Sequence, residues 1–521
     1  MDTDRQKRLL HWLADDMFVL LLIVGLIALV ALWLPVGFTG TDDYRYLVAA
    51  ERWLGEGIHT GANHWANRLP YVLSLVASFS AFGVSMFAFT LVNASFFAVG
   101  TYAAWKIGCD AYGAGNAPLL GVLIILLTPL LMRQPTYFYP EVSEVALLTV
   151  TAWIVLVRDR WPFQRRLIML LLAGIIGGLA MLVRQTAVAV PVALAALIFF
   201  CTPHERIRDR IRDIAVLAAG FCVPILLELL FYVAITGDPL HRFKIDSAHV
   251  KIANRLRDKA SIDTDSVLFN WELASHWERE SAIPSHWTIT PFVRLFVSAG
   301  MLLVPWIGIV GGWLAWKQGG AARRLALLTM FVIGLQYLLN TFVIVLPPNT
   351  RYFGVGLVLL ALLAGYALAW LPMPALRIGA LVVLVAAPAF LALAFQPRFA
   401  VMNDNLAMLA ETADETVYLP GAMLKYSAVQ RRADSEFASR VKLGKPPVGA
   451  AFAVMGYVAP EMGSERCSDG RPGAISLKTA TPNPLMWRAV TTIGLAEIVP
   501  KAIARILRKD SMKVSLYRRI C

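Results

Sequence analysis

The chain has 521 residues, of which 58% are hydrophobic and 16% are charged, and its mean hydropathy is +0.62. Soluble globular proteins carry roughly a quarter charged residues, so this composition excludes an ordinary soluble domain and indicates a protein of the lipid bilayer. The net charge of +13 does not indicate a nucleic-acid partner, because lysine and arginine accumulate in the cytoplasmic loops of membrane proteins.

Eleven apolar runs predict transmembrane helices along residues 1–395. The first run follows Arg5, Lys7 and Arg8, which predicts a retained first span and a cytoplasmic N-terminus. The runs lie at about 17–36, 85–105, 117–132, 142–157, 167–183, 186–201, 213–235, 292–315, 325–346, 353–371 and 378–395. With this orientation the connections predicted to be cytoplasmic are short and basic, as the positive-inside rule requires. We therefore predict an all-α polytopic membrane protein with about eleven transmembrane helices.

The same topology places the loops 37–84, 133–144 and 237–291 and the tail 396–521 on the outer face. Within the first loop, residues 42–54 and 69–82 predict helices that lie at the membrane surface. The tail predicts a small extracytoplasmic α/β domain, with strands at 415–419 and 513–517 and a helix at 489–507. Cys467 and Cys521 could form a disulfide there if the compartment is oxidising.

Acidic residues mark the outer face in two places. Asp42 and Asp43 follow the first span directly, and Glu141 and Glu144 lie in the second outer loop. Two adjacent carboxylates at a membrane boundary are desolvated and repel each other, which favours a functional role. The structural alternative is that they end the span and cap the next helix.

Four arginines lie at predicted outer ends of spans, against the positive-inside tendency. They are Arg68, Arg133, Arg184 and Arg351. Any one of them could extend to the phosphates of outer head groups. Because all four face the same compartment as the acidic residues, they favour an anionic ligand, and arginine binds phosphate with two parallel hydrogen bonds.

The motif order resembles the GT-C superfamily of membrane glycosyltransferases, especially its protein O-mannosyltransferase and aminoarabinose transferase branch. The matching residues are Asp42-Asp43-Tyr44-Arg45-Tyr46 after the first span, then Glu51-Arg52, and then Arg68 before a proline. Glu51-Arg52 is inverted relative to the usual order, and Arg68 stands where a lysine is more usual. Further similarities are Tyr137 to Glu141 and Arg351-Tyr352. The resemblance implies a GT-C-like fold and a glycosyl transfer.

Arginines beside carboxylates at the outer membrane surface indicate a substrate that presents a phosphate there. We expect this substrate to be a polyprenyl-phosphate-linked sugar. Asp42 is the first candidate for the base that takes the proton of the acceptor hydroxyl. Arg184, Arg351 and Arg68 would stabilise the departing lipid phosphate. Asp43 and Glu141 could orient the acceptor or hold Mg²⁺ or Mn²⁺, which prefer oxygen ligands.

Other candidates for substrate contacts are Tyr46, His64, Glu144 and Tyr352. For His64 the structural alternative is an ordinary exposed loop histidine. The acceptor would be a glycan, a lipid or a protein, and membrane lipids surround the chain. We expect the protein in the cytoplasmic membrane of a bacterium, with its C-terminal domain in the periplasm.

Two other functions fit part of the pattern. An oligosaccharide ligase or polymerase also uses lipid-linked sugars, but its donor carries a diphosphate and its catalytic features lie in a large later loop. A transporter would carry ionisable residues in the middle of the membrane, on helices broken by glycine or proline. Glu228 is the residue that would support a transporter.

Overall fold

A computed structural model provides the fold of the chain. It describes residues 3–33, 42–61, 63–132, 134–136, 139–201, 206–247, 290–297, 301, 303–343, 350–394, 416–419, 441–443, 447–455, 467, 474–480, 485–492, 494–500, 504 and 514–520. Residues 248–289 of the predicted outer loop 237–291 lie outside this part of the chain, as does Arg133.

The described residues are mostly helical, and each predicted apolar run contains helix. The helices are α1 (Thr3–Trp33), α2 (Asp42–Glu56), α3 (Leu69–Phe82), α4 (Met86–Tyr112), α5 (Asn116–Leu127), α6 (Pro129–Met132), α7 (Glu141–Leu156), α8 (Phe163–Val183), α9 (Ala189–Phe200), α10 (Ile207–Thr236), α11 (Thr290–Val297), α12 (Val304–Gln318), α13 (Gly320–Leu338), α14 (Gly354–Ala369), α15 (Pro374–Ala394) and α16 (Leu485–Thr492). Helices α2 and α3 confirm the two helices predicted in the first outer loop.

Several helices are long and apolar enough to cross a bilayer. Within the described part of the chain these are Met86–Tyr112, Phe163–Val183, Ile207–Thr236, Gly320–Val343 and Thr350–Ala369. The bent pair Asn116–Leu127 and Leu130–Thr136 adds a sixth if it forms one span. These helices support an integral membrane protein, whereas the number of eleven spans stays a prediction.

Proline and short 3₁₀ turns divide some runs that the hydropathy pattern presents as continuous. The predicted run 292–315 contains two helices, α11 and α12, and α12 has Pro305 in its first turn. The run 186–201 begins with the 3₁₀ turn Gln185–Val188 before α9 starts. Proline lacks a backbone N–H and fits the first turn of a helix better than its interior. One apolar run can therefore contain more than one helix.

Helices α8 and α10 pack closely because glycines face each other. A Cβ atom at Gly174 would overlap the carbonyl oxygen of Leu217, and one at Gly178 would overlap that of Phe221. Small residues allow helix backbones to approach closely in membranes. Since the contacts advance together along both helices, α8 and α10 run parallel and end on the same side of the bundle.

Helix α14 lies in the core of the bundle and is buried along nearly its whole length. It packs against α5 and α12 through further glycines. An added Cβ atom at Gly311 would overlap the carbonyl oxygen of Leu363, and one at Gly365 would overlap the backbone of Gly121. This packing fixes the second half of α14 against its two neighbours.

The described strands of the C-terminal part form one sheet. The strands are β1 (Val417–Leu419), β2 (Val441–Leu443), β3 (Ala451–Met455), β4 (Ala474–Ala480) and β5 (Val514–Arg519), in the order β2-β1-β3-β5-β4. β1 pairs parallel with β2 and β3, whereas β5 pairs antiparallel with β3 and β4. Strands β1 and β5 lie where strands were predicted. A separate extracytoplasmic domain at 396–521 stays a prediction.

The helix predicted at 489–507 is shorter than expected, because α16 ends at Thr492. Gly494 has a positive φ of 74° and begins a region of turns, and a glycine in this conformation commonly ends a helix. Cys467 is disulfide-bonded, whereas Cys109, Cys201 and Cys222 are free. The fifth cysteine of the chain, Cys521, lies outside the described residues.

Candidate functional site

Four of the predicted site residues meet where α7 and α14 begin and α8 ends. Glu141 and Glu144 lie in the first turn of α7, Arg184 follows the last residue of α8, and Arg351 lies in the 3₁₀ turn before α14. Arg184 Nη1 donates to Glu141 Oε1 at 2.5 Å, and Arg184 Nε lies 3.5 Å from Glu144 Oε2. Arg351 Nε lies 3.4 Å from the same Glu141 oxygen. Glu141 is thus held between two guanidinium groups.

The local sequence explains why these charges occupy helix ends. Carboxylates in the first turn of α7 interact favourably with the positive end of the helix dipole. The backbone of Arg184 is extended, with φ −151° and ψ 135°, so the chain leaves α8 at this residue. Glu141, Glu144 and Arg184 are 5%, 7% and 9% exposed. Buried charges of this kind are stable only when they are paired.

Aromatic rings and a hydroxyl complete the contacts of the arginines and glutamates. The Tyr352 ring centroid lies 4.8 Å from the Arg184 guanidinium and 5.2 Å from that of Arg351. Tyr139 lies 5.0 Å from Arg351, and such cation–π contacts orient guanidinium groups. Thr186 Oγ1 donates to Glu144 Oε1 at 2.8 Å. These contacts limit the freedom of both arginines.

The first outer loop brings its predicted residues to the same place. Arg68 Nη1 donates to the Tyr46 hydroxyl, and the Tyr46 ring packs edge-on against Tyr71 with centroids 5.1 Å apart. Asp43 is fully buried. The charges of Asp43 and Glu141 both act on Tyr71, and the charge of Arg68 acts on Glu141. Asp43 and Arg68 therefore belong to the same cluster as the residues of α7.

The contacts among the described residues do not assign roles to two other predicted residues, Asp42 and His64. Asp42 begins α2, but its side chain lies outside the described residues. His64 packs against Trp65 with ring centroids 3.6 Å apart, and the Arg45 guanidinium lies 3.7 Å from the Trp65 ring centroid. The roles of Asp42 and His64 stay predictions.

An apolar cavity lies beside the charged cluster. It is narrow and open at one side, and α4, α6, α7 and α14 contribute most of its wall. Glu141 and Arg351 line it together with apolar side chains such as Phe97 and Leu357. Glu141 Oε2 is buried and has no hydrogen-bond partner among the described residues. The cavity thus has an apolar body and a charged end.

The cluster contains contacts that sequence reasoning did not identify. Tyr139 and Thr186 contact Arg351 and Glu144, respectively. Tyr139 lies inside the stretch 137–141 that resembles the superfamily, and Thr186 lies two residues after Arg184. The signal available in the sequence was that Tyr139 and Thr186 lie close along the chain to predicted site residues. A tyrosine or a threonine does not, by its type, indicate which charged residue it contacts.

The predicted Mg²⁺ or Mn²⁺ at Asp43 and Glu141 stays a prediction. Within the described part of the chain, no group of three or more His, Cys, Asp and Glu side chains is arranged to hold a metal ion. The oxygen Glu141 Oε1 contacts Arg184 and Arg351.

Glu228, the residue that would support a transporter, is a paired charge. It lies about two turns before the end of α10 and accepts a hydrogen bond from Arg242 Nη1 at 2.6 Å. Its role in a transporter stays a prediction.

Comparison with known proteins identifies the fold. The family described as dolichyl-phosphate-mannose-protein mannosyltransferase matches residues 67–228, less than half of the chain. No curated protein matches the sequence significantly. The structure resembles ArnT from Cupriavidus metallidurans bound to undecaprenyl phosphate, with a TM-score of 0.52 and 13% identity over 97% of this chain and 98% of ArnT. The apo state of ArnT gives the same TM-score of 0.52.

A second similar structure is the archaeal oligosaccharyltransferase AglB from Archaeoglobus fulgidus, in complex with an inhibitory peptide and a dolichol-phosphate. Its TM-score is 0.51, with 11% identity over 80% of this chain and 63% of AglB. The chain thus spans less than two thirds of AglB. The similarities confirm, at the level of the fold, the predicted resemblance to the GT-C superfamily.

Proposed function

We propose that this chain, which has the GT-C fold, is a membrane glycosyltransferase that moves a sugar from a polyprenyl phosphate to an acceptor hydroxyl on the outer face. One observation carries the proposal. Arg68, Arg184 and Arg351 come from three distant parts of the chain to one buried group of carboxylates, beside an apolar cavity. A lipid phosphate has the matching shape, with a charged head and an apolar tail.

Arg351 is the arginine best placed to contact a donor phosphate. Its side chain is 24% exposed, compared with 9% for Arg184, and it lines the cavity. A guanidinium carries five N–H donors, so Arg351 can contact Glu141 and a phosphate oxygen together. Arg184 contacts the same Glu141 oxygen as Arg351 and adds positive charge near the place where the phosphate would bind.

The first part of a polyprenyl tail would enter at this cavity, and the apolar side chains of its wall would move apart to admit it. Its wall is made of apolar side chains from four helices, with Glu141 and Arg351 at one end. A tail in this cavity would leave the water while its phosphate stays next to the arginines, and burial of apolar surface stabilises such binding. The remainder of the tail would lie between the helices and the lipid.

The reaction requires one proton acceptor and a site that stabilises negative charge. The acceptor oxygen attacks the anomeric carbon, and the bond from that carbon to the phosphate oxygen breaks. The electron pair leaves with the polyprenyl phosphate, whose charge the arginines stabilise. The proton passes to a carboxylate, for which Asp42 is the first candidate and the buried Asp43 the second.

We assign a different role to Glu141. Its carboxylate interacts with both Arg184 and Arg351, and cations at this distance favour the ionised form and make it a weak base. Glu141 therefore holds the two arginines in place. Glu144 does the same for Arg184 with the help of Thr186.

The two similar structures support the class of donor. ArnT was solved with undecaprenyl phosphate and AglB with a dolichol-phosphate, and both ligands are polyprenyl monophosphates. The proposed location is the bacterial cytoplasmic membrane, with the site on the periplasmic side. The short basic connections on the opposite side support this orientation.

The test is a mass-spectrometric profile of envelope glycans and lipid-linked sugars. A strain that lacks the gene is complemented with wild type, with Asp42→Asn, or with Glu56→Gln as a control. Glu56 is on the same helix, is exposed and pairs only locally with Arg52. We expect Asp42→Asn to lose one sugar from the glycans and to accumulate that sugar linked to polyprenyl phosphate, and Glu56→Gln to match wild type. Identical profiles for all three strains would show that Asp42 is not the base, and a strain without the gene that also matches wild type would overturn the proposal.

Oligosaccharyl transfer is the second candidate, because the fold also resembles AglB. The same profile separates the two activities. An inactive oligosaccharyltransferase would lose a whole oligosaccharide and accumulate it on its lipid carrier, whereas an inactive single-sugar transferase would accumulate one sugar on the carrier.

A further inference from the structure

A second buried charged cluster lies at the end of α10. Glu228 belongs to α10, and Arg242 and Asp246 belong to the helical segment 241–247, which follows directly. Arg242 and Glu228 are 6% and 7% exposed. Arg242 Nη1 donates to Glu228 Oε1 at 2.6 Å, and its Nε lies 3.4 Å from Asp246 Oδ2. The cluster thus fixes the first part of the outer loop 237–291 against α10.

Gln185 connects this cluster to the proposed donor site. Its Nε2 donates to Asp246 Oδ2 at 2.7 Å, and the preceding residue, Arg184, contacts Glu141 and Glu144. Two consecutive residues are therefore held by two different clusters. The hydrogen bond from Gln185 also stabilises Asp246. Arg242 is shared between the carboxylates of Glu228 and Asp246, and the Gln185 amide supplies a further donor to Asp246.

These contacts form a closed ring. Helix α8 leads into Arg184 and Gln185, Gln185 binds Asp246, Asp246 pairs with Arg242, and Arg242 pairs with Glu228 on α10. The glycines at the α8–α10 contact close the ring. Arg184 itself has an extended backbone between a helix and a 3₁₀ turn. Its N–H donates to the carbonyl of Ala180, and its own carbonyl accepts from the N–H of Ala187, each at 3.0 Å. The ring adds a constraint on the turn that these local hydrogen bonds do not supply.

We propose that Glu228, Arg242 and Asp246 act through Gln185 as a positioning cluster for Arg184. The inference rests on the proposed function of Arg184 as part of the donor phosphate site. Gln185 and Asp246 need not touch the substrate. They hold the turn 184–188 so that the Arg184 guanidinium stays between Glu141 and the bound phosphate.

The test measures the affinity of purified protein for undecaprenyl phosphate. Gln185→Glu places a carboxylate next to Asp246 with almost no change of shape, and repulsion should displace the turn. We expect the affinity to fall about tenfold, within the range of coupling between neighbouring residues. Adding Asp246→Asn to Gln185→Glu reverses the direction of the hydrogen bond and should restore most of the affinity. Lys244→Gln is the matched control, since Lys244 lies in the same segment but is exposed and pairs with Asp238.

The outcomes separate the two proposals. If wild type binds the lipid and Gln185→Glu binds it equally well, the positioning cluster is wrong and the donor site remains. If Gln185→Glu weakens binding but the double variant does not recover it, the Gln185–Asp246 bond is not the cause and the inference is also wrong. If wild type does not bind the lipid, both proposals fail. If Gln185→Glu does not fold, the single variant Asp246→Asn is measured instead. We expect it to lose less affinity for undecaprenyl phosphate than Gln185→Glu would. Unchanged binding by Asp246→Asn would overturn the inference.

Discussion

Arg184 and Arg351 share one oxygen of Glu141, and these two arginines differ in burial. The more exposed Arg351 lines the apolar cavity, whereas Arg184 is enclosed by Glu141, Glu144 and Tyr352. The two positions should therefore respond differently to substitution, one mainly in activity and the other also in stability.

Replacing Arg351 should reduce turnover without unfolding the protein. We expect Arg351→Ala to lower the rate of sugar transfer by about 10²–10³-fold, the usual effect of losing one group that stabilises developing charge. Arg351→Lys should recover only part of the rate, because lysine lacks the planar pair of donors. The measurement is the transfer rate, with Arg52→Gln as an exposed control. Equal rates for Arg351→Ala and wild type would contradict the role.

Replacing Arg184 should also destabilise the fold. Arg184→Ala leaves Glu144 without its arginine and Glu141 with only one, and removing one partner of a buried pair costs about 3–5 kcal/mol. The thermal midpoint in detergent should fall further for Arg184→Ala than for Arg351→Ala. Adding Glu144→Gln to Arg184→Ala should recover part of the midpoint but none of the activity. A midpoint equal to wild type would show that the cluster is not structurally important.

Sequence reasoning identified the charged residues of the site but not their partners. Asp43, Arg68 and Arg184 stand out in the sequence, because adjacent carboxylates at a membrane boundary are costly and arginines at outer helix ends oppose the positive-inside tendency. Gln185 breaks no such rule, and its contact with Asp246 spans 61 positions. Pairings of this kind arise from tertiary packing, which a single sequence does not contain.

At the scale of elements, the contact between α8 and α10 connects packing to function. Gly174→Ala should force the two helices apart, because its Cβ would overlap backbone atoms of α10. Overpacking costs about 1–3 kcal/mol, so we expect a lower thermal midpoint and weaker lipid binding. The control is Gly334→Ala, where no atom lies within 4 Å of the added Cβ. If Gly174→Ala behaves like Gly334→Ala, the helices are less tightly packed than described.

The hydropathy pattern predicted where helices lie more accurately than where each helix begins and ends. Every apolar run contains helix, because a segment in the bilayer must satisfy its own backbone hydrogen bonds. The break between α5 and α6, the 3₁₀ turn before α9 and the division of 292–315 were not predicted. Hydropathy is insensitive to these breaks, since proline and short turns leave the apolar content of a run nearly unchanged.

Across the whole molecule, charged clusters lie at opposite ends of the helices. Helix α7 begins at Glu141 in the proposed site and ends just before Arg158, which lies 3.5 Å from the buried Asp213. The end that carries Arg158 also carries the basic connections predicted to be cytoplasmic. The proposed site therefore faces the other compartment.

Labelling of single introduced cysteines should establish this orientation. Lys244→Cys should react with a membrane-impermeant maleimide in intact cells, whereas Arg160→Cys should react only after the membrane is permeabilised. Both positions are exposed, at 68% and 62%, and lie at opposite ends of the bundle. Wild type reports the background from the native cysteines. The reverse pattern would place the proposed site in the cytoplasm.

The central claim is that the leaving group is a polyprenyl monophosphate. The most direct measurement incubates the purified protein with membrane lipids from the strain that lacks the gene, together with membranes that supply the acceptor, and quantifies released polyprenyl phosphate by mass spectrometry. We predict that wild type releases polyprenyl monophosphate as the sugar-linked form disappears, and that Asp42→Asn does not. Release of a diphosphate, or equal release by both proteins, would contradict the account.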